Sequence, residues 1–587
     1  MIHDLSISSL HQQYRDGSLT PRDLVATLNE RIEVSDPKIW ISLTSDSRFE
    51  AILSSLKTES PDSLPLFGIP FAVKDNIDLK GNPTTAACPN YSFNPDKDAT
   101  VVGRLIKAGA IPMGKTNLDQ FATGLVGIRS PYGVPENPFN SEFIPGGSSS
   151  GSAVAVARDL CTFSLGSDTA GSGRIPAGLN ELIGLKPSFG ALSCSGVVPA
   201  CRSLDCVSIF SKSAADAKAV FEVSAAFDES DAYSREPDKA PWFPADAFTF
   251  GVPHENQLKF FGNDEAKALF EKAIERLESL GGTRVEIDFS SFLEAALLLY
   301  EGPWISERYA AIEKFIETTP DSLFPVTRSI ISGGRKPKAV DAFRAQYRLR
   351  TLKQAADVIM KTLDLIVTPT AGTAYTVAEV EADPVTLNSN LGYYTNFMNL
   401  LDLSACAIPA GRLPSCGVPW GITLIGPAFA DEALLGLADR FTGSKQLSIS
   451  APESWIELVV CGAHMKGLPL NHQLTDRGAR FVRADSTSSK YQLIALPPVS
   501  SLPPRPGLIR LGDGDKRGGS IAVEIWAMPA SKFGSFVAGV PSPLGFGKVE
   551  LRDGHLLTGF LCESDLPDFS IDITHFGGWR RYLESLT

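Results

Sequence analysis

Lysine and serine, set among glycines, carry the chemistry this sequence can offer. Lys74 closes the segment Gly68-Ile69-Pro70-Phe71-Ala72-Val73-Lys74-Asp75, and two small-residue runs follow it: Pro145-Gly146-Gly147-Ser148-Ser149-Ser150-Gly151-Ser152 and Ser167-Asp168-Thr169-Ala170-Gly171-Ser172-Gly173-Arg174. No histidine stands between His11 and His254. A serine nucleophile needs a base, and imidazole is the usual one because its pKa lies near neutrality. Here another group has to serve. A lysine can do so when burial or nearby positive charge lowers its pKa enough to supply a neutral amine. The apolar residues before Lys74 read as a buried strand, which provides that setting. Taken alone, a lysine at a strand end is more simply a structural charge paired with Asp75.

The glycine and serine runs shift the balance. Small residues let the backbone approach a substrate closely and turn several N–H groups toward one oxygen. Thr169, Ala170, Gly171 and Ser172 offer consecutive amides beside a hydroxyl, the pattern of an oxyanion hole, in which one well-aimed donor is worth about 3 kcal/mol. The competing reading is a flexible linker, but apolar stretches at 153–157 and 179–185 flank the region, and linkers do not sit between such segments.

These segments resemble the amidase signature hydrolases. The likeness rests on GIPFAVKD, GKTNLDQFATG, PGGSSSGSAVAVA, GSDTAGSGRIPA, and the later VTPT and GVPWGITLIGP, and it spans most of the first 440 residues. It implies Ser172 as the nucleophile, Ser148 as a bridging serine preceded by a cis peptide bond, and Lys74 as the base. Ser148 and Ser172 are 24 residues apart (172 − 148 = 24). Ser150 is a mild departure, since many relatives have glycine there. The implied mechanism is a relay in which neutral Lys74 takes a proton from Ser148 while Ser148 takes one from Ser172. Ser172 then attacks an amide carbonyl, ammonia leaves, and water hydrolyses the acyl enzyme. Asp168 and Arg174 read as ion-pair supports of the loop.

Two other patterns match on spelling and fail on context. Gly109-Ala110-Ile111-Pro112-Met113-Gly114-Lys115-Thr116 spells a P-loop. An amphipathic helix at 101–108 precedes it where a strand is needed, and Pro112 removes an amide that phosphates require. The resemblance places this segment as a strand and the start of a helix. Gly147-Ser148-Ser149-Ser150-Gly151 spells a nucleophile elbow, which would make Ser149 the nucleophile. Residues 135–140 before it are turn-rich, and no well-placed acid and histidine follow.

At the scale of the whole chain, 587 residues exceed one ordinary domain, and 43% hydrophobic content supports sizeable cores. The formal charge of −13 argues against nucleic acid as a partner. The sequence contains no run of eighteen apolar residues and its first residues lack a signal-peptide h-region, so no membrane partner and a cytoplasmic location are expected. Nine cysteines without a CxxC pair read as reduced and mostly buried. Cys194, Cys201 and Cys206 lack zinc spacing, and neither a metal nor a cofactor is expected.

The elements that must position the site follow from pattern. Thr20-Pro21 caps a helix with apolar Leu24, Leu28 and Ile32. Apolar strands at 71–73, 161–165, 365–368 and 406–408 alternate with helices, which predicts an α/β class with a sheet covered on both faces; the resemblance makes the central sheet mixed. Residues 1–442 form the amidase domain in this reading, and 443–456, small and polar with a proline, form a linker. The remainder, 457–587, is a smaller β-rich α+β domain, with short strands at 491–495, 508–511, 521–526 and 556–560.

His464, in Cys461-Gly462-Ala463-His464-Met465-Lys466-Gly467, is the suggestive residue there, a titratable ring among glycines that could cradle an anion. The two-domain order, with GAHMKGLPLN in the second, resembles the allophanate hydrolase family, whose C-terminal domain has a γ-glutamylcyclotransferase-like fold. That resemblance implies Tyr300 and Arg308, in YEGPWISERYAA, as a clamp for the substrate carboxylate, with a planar guanidinium fork suited to it. Without it, Arg308 would be an exposed helical arginine paired with Glu301 or Glu307. Gly124 offers backbone to the substrate or serves chain geometry alone.

The reaction implied is hydrolysis of allophanate to ammonia and N-carboxycarbamate, with decarboxylation assisted by the second domain and His464 as its acid or base. Glu524 is a looser choice there, and His472 and His555 weaker ones. Other readings stay open: another small-amide or carbamate amidase whose C-terminal domain is a dimerisation or channel module, or a non-catalytic assembly subunit. The expected partners are the small-molecule substrate, a second copy in a homodimer, and functional coupling to a urea carboxylase or biuret hydrolase.

Overall fold

The apolar run that ends at Lys74 folds as the strand Pro70–Lys74, with all five residues buried. It lies inside a large mixed sheet, which explains why it is apolar throughout rather than alternating. The computed structural model describes all residues except 1–3, 237–240, 245–246, 445, 448–450, 453, 499–502, 513, 566–567 and 587. Contacts divide the chain into two compact units, Met1–Pro241 with Phe248–Ser448, and Trp242–Ala247 with Ile449–Thr587.

In the first unit, eleven strands among the described residues form one sheet. From one edge the order is Trp40–Leu43, Ile111–Thr116, Pro70–Lys74, Phe163–Asp168, Cys206–Ser211, Ile183–Lys186, Leu403–Arg412, Pro419–Pro427, Leu365–Pro369, Phe248–Pro253 and Gly282–Ile287. Pro70–Lys74 runs parallel to both its neighbours, with Phe71 opposite Phe163 and Val73 opposite Leu165. The middle of the sheet is antiparallel. Helices Ser150–Ala157, Ala214–Ser224, Asp264–Ser279 and Asp431–Thr442 pack against it.

One consequence governs the site. Pro70–Lys74 and Phe163–Asp168 are adjacent parallel strands, so the side chain ending the first and the loop leaving the second emerge at the same carboxyl end, where open α/β sheets bind ligands. Helix Ser150–Ala157, built of small buried residues, packs on both strands and brings the serine run before it to that end.

The P-loop spelling resolves as structure. Residues 111–116 are a fully buried strand. Lys115 pairs with Asp75 at 3.1 Å, so Asp75 is the partner of Lys115 and not of Lys74. A single 3-10 turn, Gln120–Ala122, stands where the start of a helix was expected, because Phe121 takes a positive φ of 52° that a helix cannot continue. The cap at Thr20 forms as read, its side chain accepting from the Asp23 amide ahead of helix Pro21–Glu33.

The second unit has a five-stranded sheet in the order Arg480–Ser486, Ala522–Pro529, Trp455–Val460, Leu556–Cys562 and Leu544–Glu550, and a three-stranded one of Pro506–Arg510, Tyr491–Ala495 and Ile571–Asp572. Trp242 belongs to this unit and packs edge-on against Trp455, with ring centroids 5.7 Å apart. Strand Trp455–Val460 begins inside the last residues of the stretch 443–456, parts of which lie outside the described residues.

Candidate active site

Lys74 is wholly buried. Its Nζ lies 2.7 Å from Ser148 Oγ and donates to Ser167 Oγ at 2.9 Å and to the Ser167 carbonyl at 3.4 Å. Asn76 Nδ2 also donates to Ser167 Oγ, at 3.1 Å. Burial is the largest influence on the amine and disfavours its charge; Asp119, Asp168 and Asp205 oppose that, Arg308 adds to it, and the result is a pKa lowered to about 7. An amine so placed is half neutral near neutrality.

Ser148 follows a cis peptide bond, Gly147–Ser148. Its carbonyl accepts from the Asp119 amide at 3.0 Å. The Asp119 carboxylate in turn accepts from the amides of Gly127 and Arg129, both at 2.9 Å, so one buried aspartate ties the serine loop to the loop that carries Gly124.

Ser172 sits one turn before the helix Ile175–Leu179 and is nearly buried. Its Oγ donates to the Gly124 carbonyl at 3.5 Å and makes no hydrogen bond with Ser148. The structure thus joins Lys74 to Ser148 and leaves Ser172 turned to Gly124. Gly124 itself has no room for a side chain, since a Cβ there would stand 2.5 Å from Asp119 Oδ2.

Among the described residues, the amides from Thr169 to Ser172 donate to no protein acceptor. The loop they belong to is held from both sides. Thr169 Oγ1 donates to Asp205, whose carboxylate also takes the amides of Ala200 at 2.8 Å and Cys201 at 3.1 Å; burial raises its pKa to about 6 against those bonds. Gly171 has a φ of 153°, and a Cβ on it would meet Thr395 Oγ1 at 2.5 Å, so only glycine fits. Asp168 and Arg174 form a doubly hydrogen-bonded pair at 2.8 and 2.9 Å, both side chains fully buried.

Arg308 is buried, at 3% exposure, rather than exposed on its helix Trp304–Thr318. Its Nη1 donates to the Ala122 carbonyl at 3.4 Å and to Thr123 Oγ1 at 3.3 Å, and its guanidinium lies 5.6 Å from the centre of the Tyr300 ring. Glu307 bonds Ser203 instead. No carboxylate among the described residues pairs with Arg308, and its Nε has no acceptor.

In the second unit, His464 Nε2 lies 3.1 Å from Gln473 Oε1, and its ring stacks on Phe560 with centroids 5.0 Å apart. Burial lowers its pKa. The Glu524 carboxylate accepts from the Lys466 amide at 2.7 Å, Trp526 Nε1 at 3.1 Å and Arg580 at 2.8 Å. His472 and His555 are exposed and bond only locally.

Sequence reading missed Ser167, Asn76, Asp119 and Asp205 as parts of this constellation. Ser167, Asn76 and Asp119 stand inside or beside the quoted motifs, Asp205 lies beyond them, and only the strand register brings Ser167 to Lys74.

Residues 23–435 match the amidase family model and residues 456–584 that of the allophanate hydrolase C-terminal domain. A urea amidolyase of Lachancea kluyveri is 44% identical over 97% of this chain, which spans only 33% of that protein. A selenomethionine-substituted allophanate hydrolase of Kluyveromyces lactis matches with a TM-score of 0.83 and 42% identity, covering 99% of each chain. A native peptide amidase of Stenotrophomonas maltophilia matches with a TM-score of 0.64 and 25% identity, over 76% of this chain and 98% of its own.

Proposed function

The chain belongs to the amidase family, in the branch that carries an allophanate hydrolase C-terminal domain, and from that membership we propose that it hydrolyses allophanate to ammonia and N-carboxycarbamate. A neutral amine has two N–H groups and one lone pair. With its N–H groups directed to Ser167 Oγ and the Ser167 carbonyl, Lys74 presents its lone pair to the Ser148 hydroxyl 2.7 Å away. Ser172, turning from the Gly124 carbonyl, gives its proton to Ser148 as Ser148 gives its own to Lys74. The Ser172 oxygen then adds to the amide carbon, and the amides of Thr169, Ala170, Gly171 and Ser172 stabilise the oxyanion. The proton returns through Ser148 to the departing nitrogen, ammonia leaves, and water attacks the acyl enzyme by the same path.

The observation that carries the substrate assignment is Arg308: a buried guanidinium with no carboxylate partner among the described residues, bonded to residues 122 and 123 beside the Gly124 carbonyl that holds Ser172. Allophanate ends in a carboxylate, and a desolvated guanidinium beside Tyr300 suits that anion. The test is ammonia release from allophanate, malonamate, biuret and simple amides by the full chain and by Arg308→Leu. The expected result is preference for the two acidic amides, with kcat/KM for them falling at least a hundredfold in the variant while neutral amides are spared. Faster turnover of biuret or simple amides than of allophanate would leave the relay and move the chain to the alternative, a small-amide or carbamate amidase with a non-catalytic C-terminal domain.

The rest of the reading is that the second unit promotes decarboxylation with His464 as acid or base, that the enzyme is a cytoplasmic homodimer, and that it works with a urea-carboxylating or biuret-hydrolysing activity. The name urea amidolyase on relatives of which this chain spans a third supports the coupling to urea. Nine free cysteines support a reducing compartment. No helix among the described residues is long and apolar enough to cross a membrane.

A further inference from the structure

The second unit contains a cavity of about 60 Å³ whose wall includes His464, Gln473, Arg505, Leu544 and Phe560. A water needs on the order of 10–15 Å³ measured in this way, so the space suits a molecule of a few heavy atoms. No aspartate or glutamate lines it, and Arg505 is the permanent charge in its wall. Arg505 is itself unusual. Its Nε and Nη1 are buried without a hydrogen-bond partner, and no carboxylate among the described residues pairs with it. Buried guanidinium nitrogens left without an acceptor are costly, and the apolar wall around them strengthens their pull on an anion. Beside it, the His464 ring is fixed by Phe560 and by Gln473, which engages Nε2 and leaves Nδ1 without a protein partner among the described residues.

We propose that this cavity binds a small carboxylate, with Arg505 holding its anionic end next to His464. The identity of the natural occupant, the acid released by amide hydrolysis, rests on the allophanate reading of the first unit; the anion site does not. Arg505 is in this view a positioning residue, and it selects for charge where the rest of the wall selects only for size.

The test uses the full chain labelled with ¹³C at the histidine ring Cε1 position, with the His464 signal identified through His464→Gln. Malonate should shift that signal saturably, and malonamide, of similar size and uncharged, should not. Arg505→Gln should raise the apparent Kd for malonate at least tenfold, and Arg505→Lys should raise it less. If Arg505→Gln has displaced the ligand-free His464 signal, Arg505→Lys decides. A signal unmoved by malonate in the unsubstituted protein, an equal response to malonamide, or unaltered affinity in the arginine variants overturns the proposal. Ammonia release from allophanate in the same samples separates the two readings. Release without a malonate shift removes the anion site and keeps the hydrolase; a shift without release keeps the site and removes its natural occupant.

Discussion

Ser167 Oγ lies 2.9 Å from Lys74 Nζ and accepts a second bond from Asn76, so the amine is held from the side opposite its work. Ser167 occupies the end of the strand next to the lysine's own and orients the lone pair of a neutral amine toward Ser148. Replacing Ser167 by alanine leaves a buried N–H without its acceptor, a cost of about 1–3 kcal/mol. The expected outcome is a kcat lower by roughly 10- to 100-fold with KM little changed. Because the lost oxygen favours the charged amine, the acid limb of the pH profile should also move to lower pH, which a purely structural defect would not cause.

Lys74 must be neutral to act, and its pKa is lowered to about 7. Activity should therefore rise with pH on the acid side and level above about 7, read as kcat/KM against pH on an uncharged amide to avoid titration of the substrate. Asp119 is the largest charge favouring the ammonium. Asp119→Asn should shift the limb downward, and an upward shift would contradict the assignment.

The same burial has a consequence for stability. In the unfolded chain Lys74 regains its ordinary pKa, so between about pH 7 and 10 the unfolded state holds a proton that the folded state lacks, and stability rises with pH across that window. Lys74→Met removes this penalty. The variant should be inactive and more stable at pH 7 by on the order of 2 kcal/mol, after allowance for the two hydroxyl contacts it loses. The gain should shrink as pH approaches 10, as urea unfolding at several pH values will show.

Arg174 and Asp168 are a fully buried pair behind the oxyanion loop. Burial alone would raise the Asp168 carboxyl, but the guanidinium and the Gly173 amide hold it below the ordinary range. Its stabilisation is present at neutral pH and is lost as pH falls through that depressed pKa. Arg174→Met strands the carboxylate and should cost about 3–5 kcal/mol in urea unfolding; Asp168→Asn added to it should recover part of the loss.

Much of this was legible beforehand because motifs are local. The cap at Thr20, the strand before Lys74 and the strands at 491–495 and 556–560 follow from short-range pattern, and the structure has elements there. The strand expected from residue 161 begins at Phe163, and the helix expected after Thr116 is a 3-10 turn; both differences fall at element ends, where packing outweighs propensity. Arg308 shows the limit most clearly. Its sequence neighbours Glu301 and Glu307 offer themselves as partners, and only the fold turns it inward to residues 122 and 123.

The sequence by itself determined which groups exist to do chemistry: a lysine, serines and glycine-rich backbone in a histidine-free stretch, followed by a second domain with its own histidine. Tertiary structure alone decided what those groups are. Lys74, Ser148 and Ser167 are 74 and 93 residues apart, and the lowered pKa of the amine is a sum over water removed and charges placed by segments distant in sequence. No local pattern encodes that sum, because desolvation and electrostatic coupling depend on what surrounds a group in space.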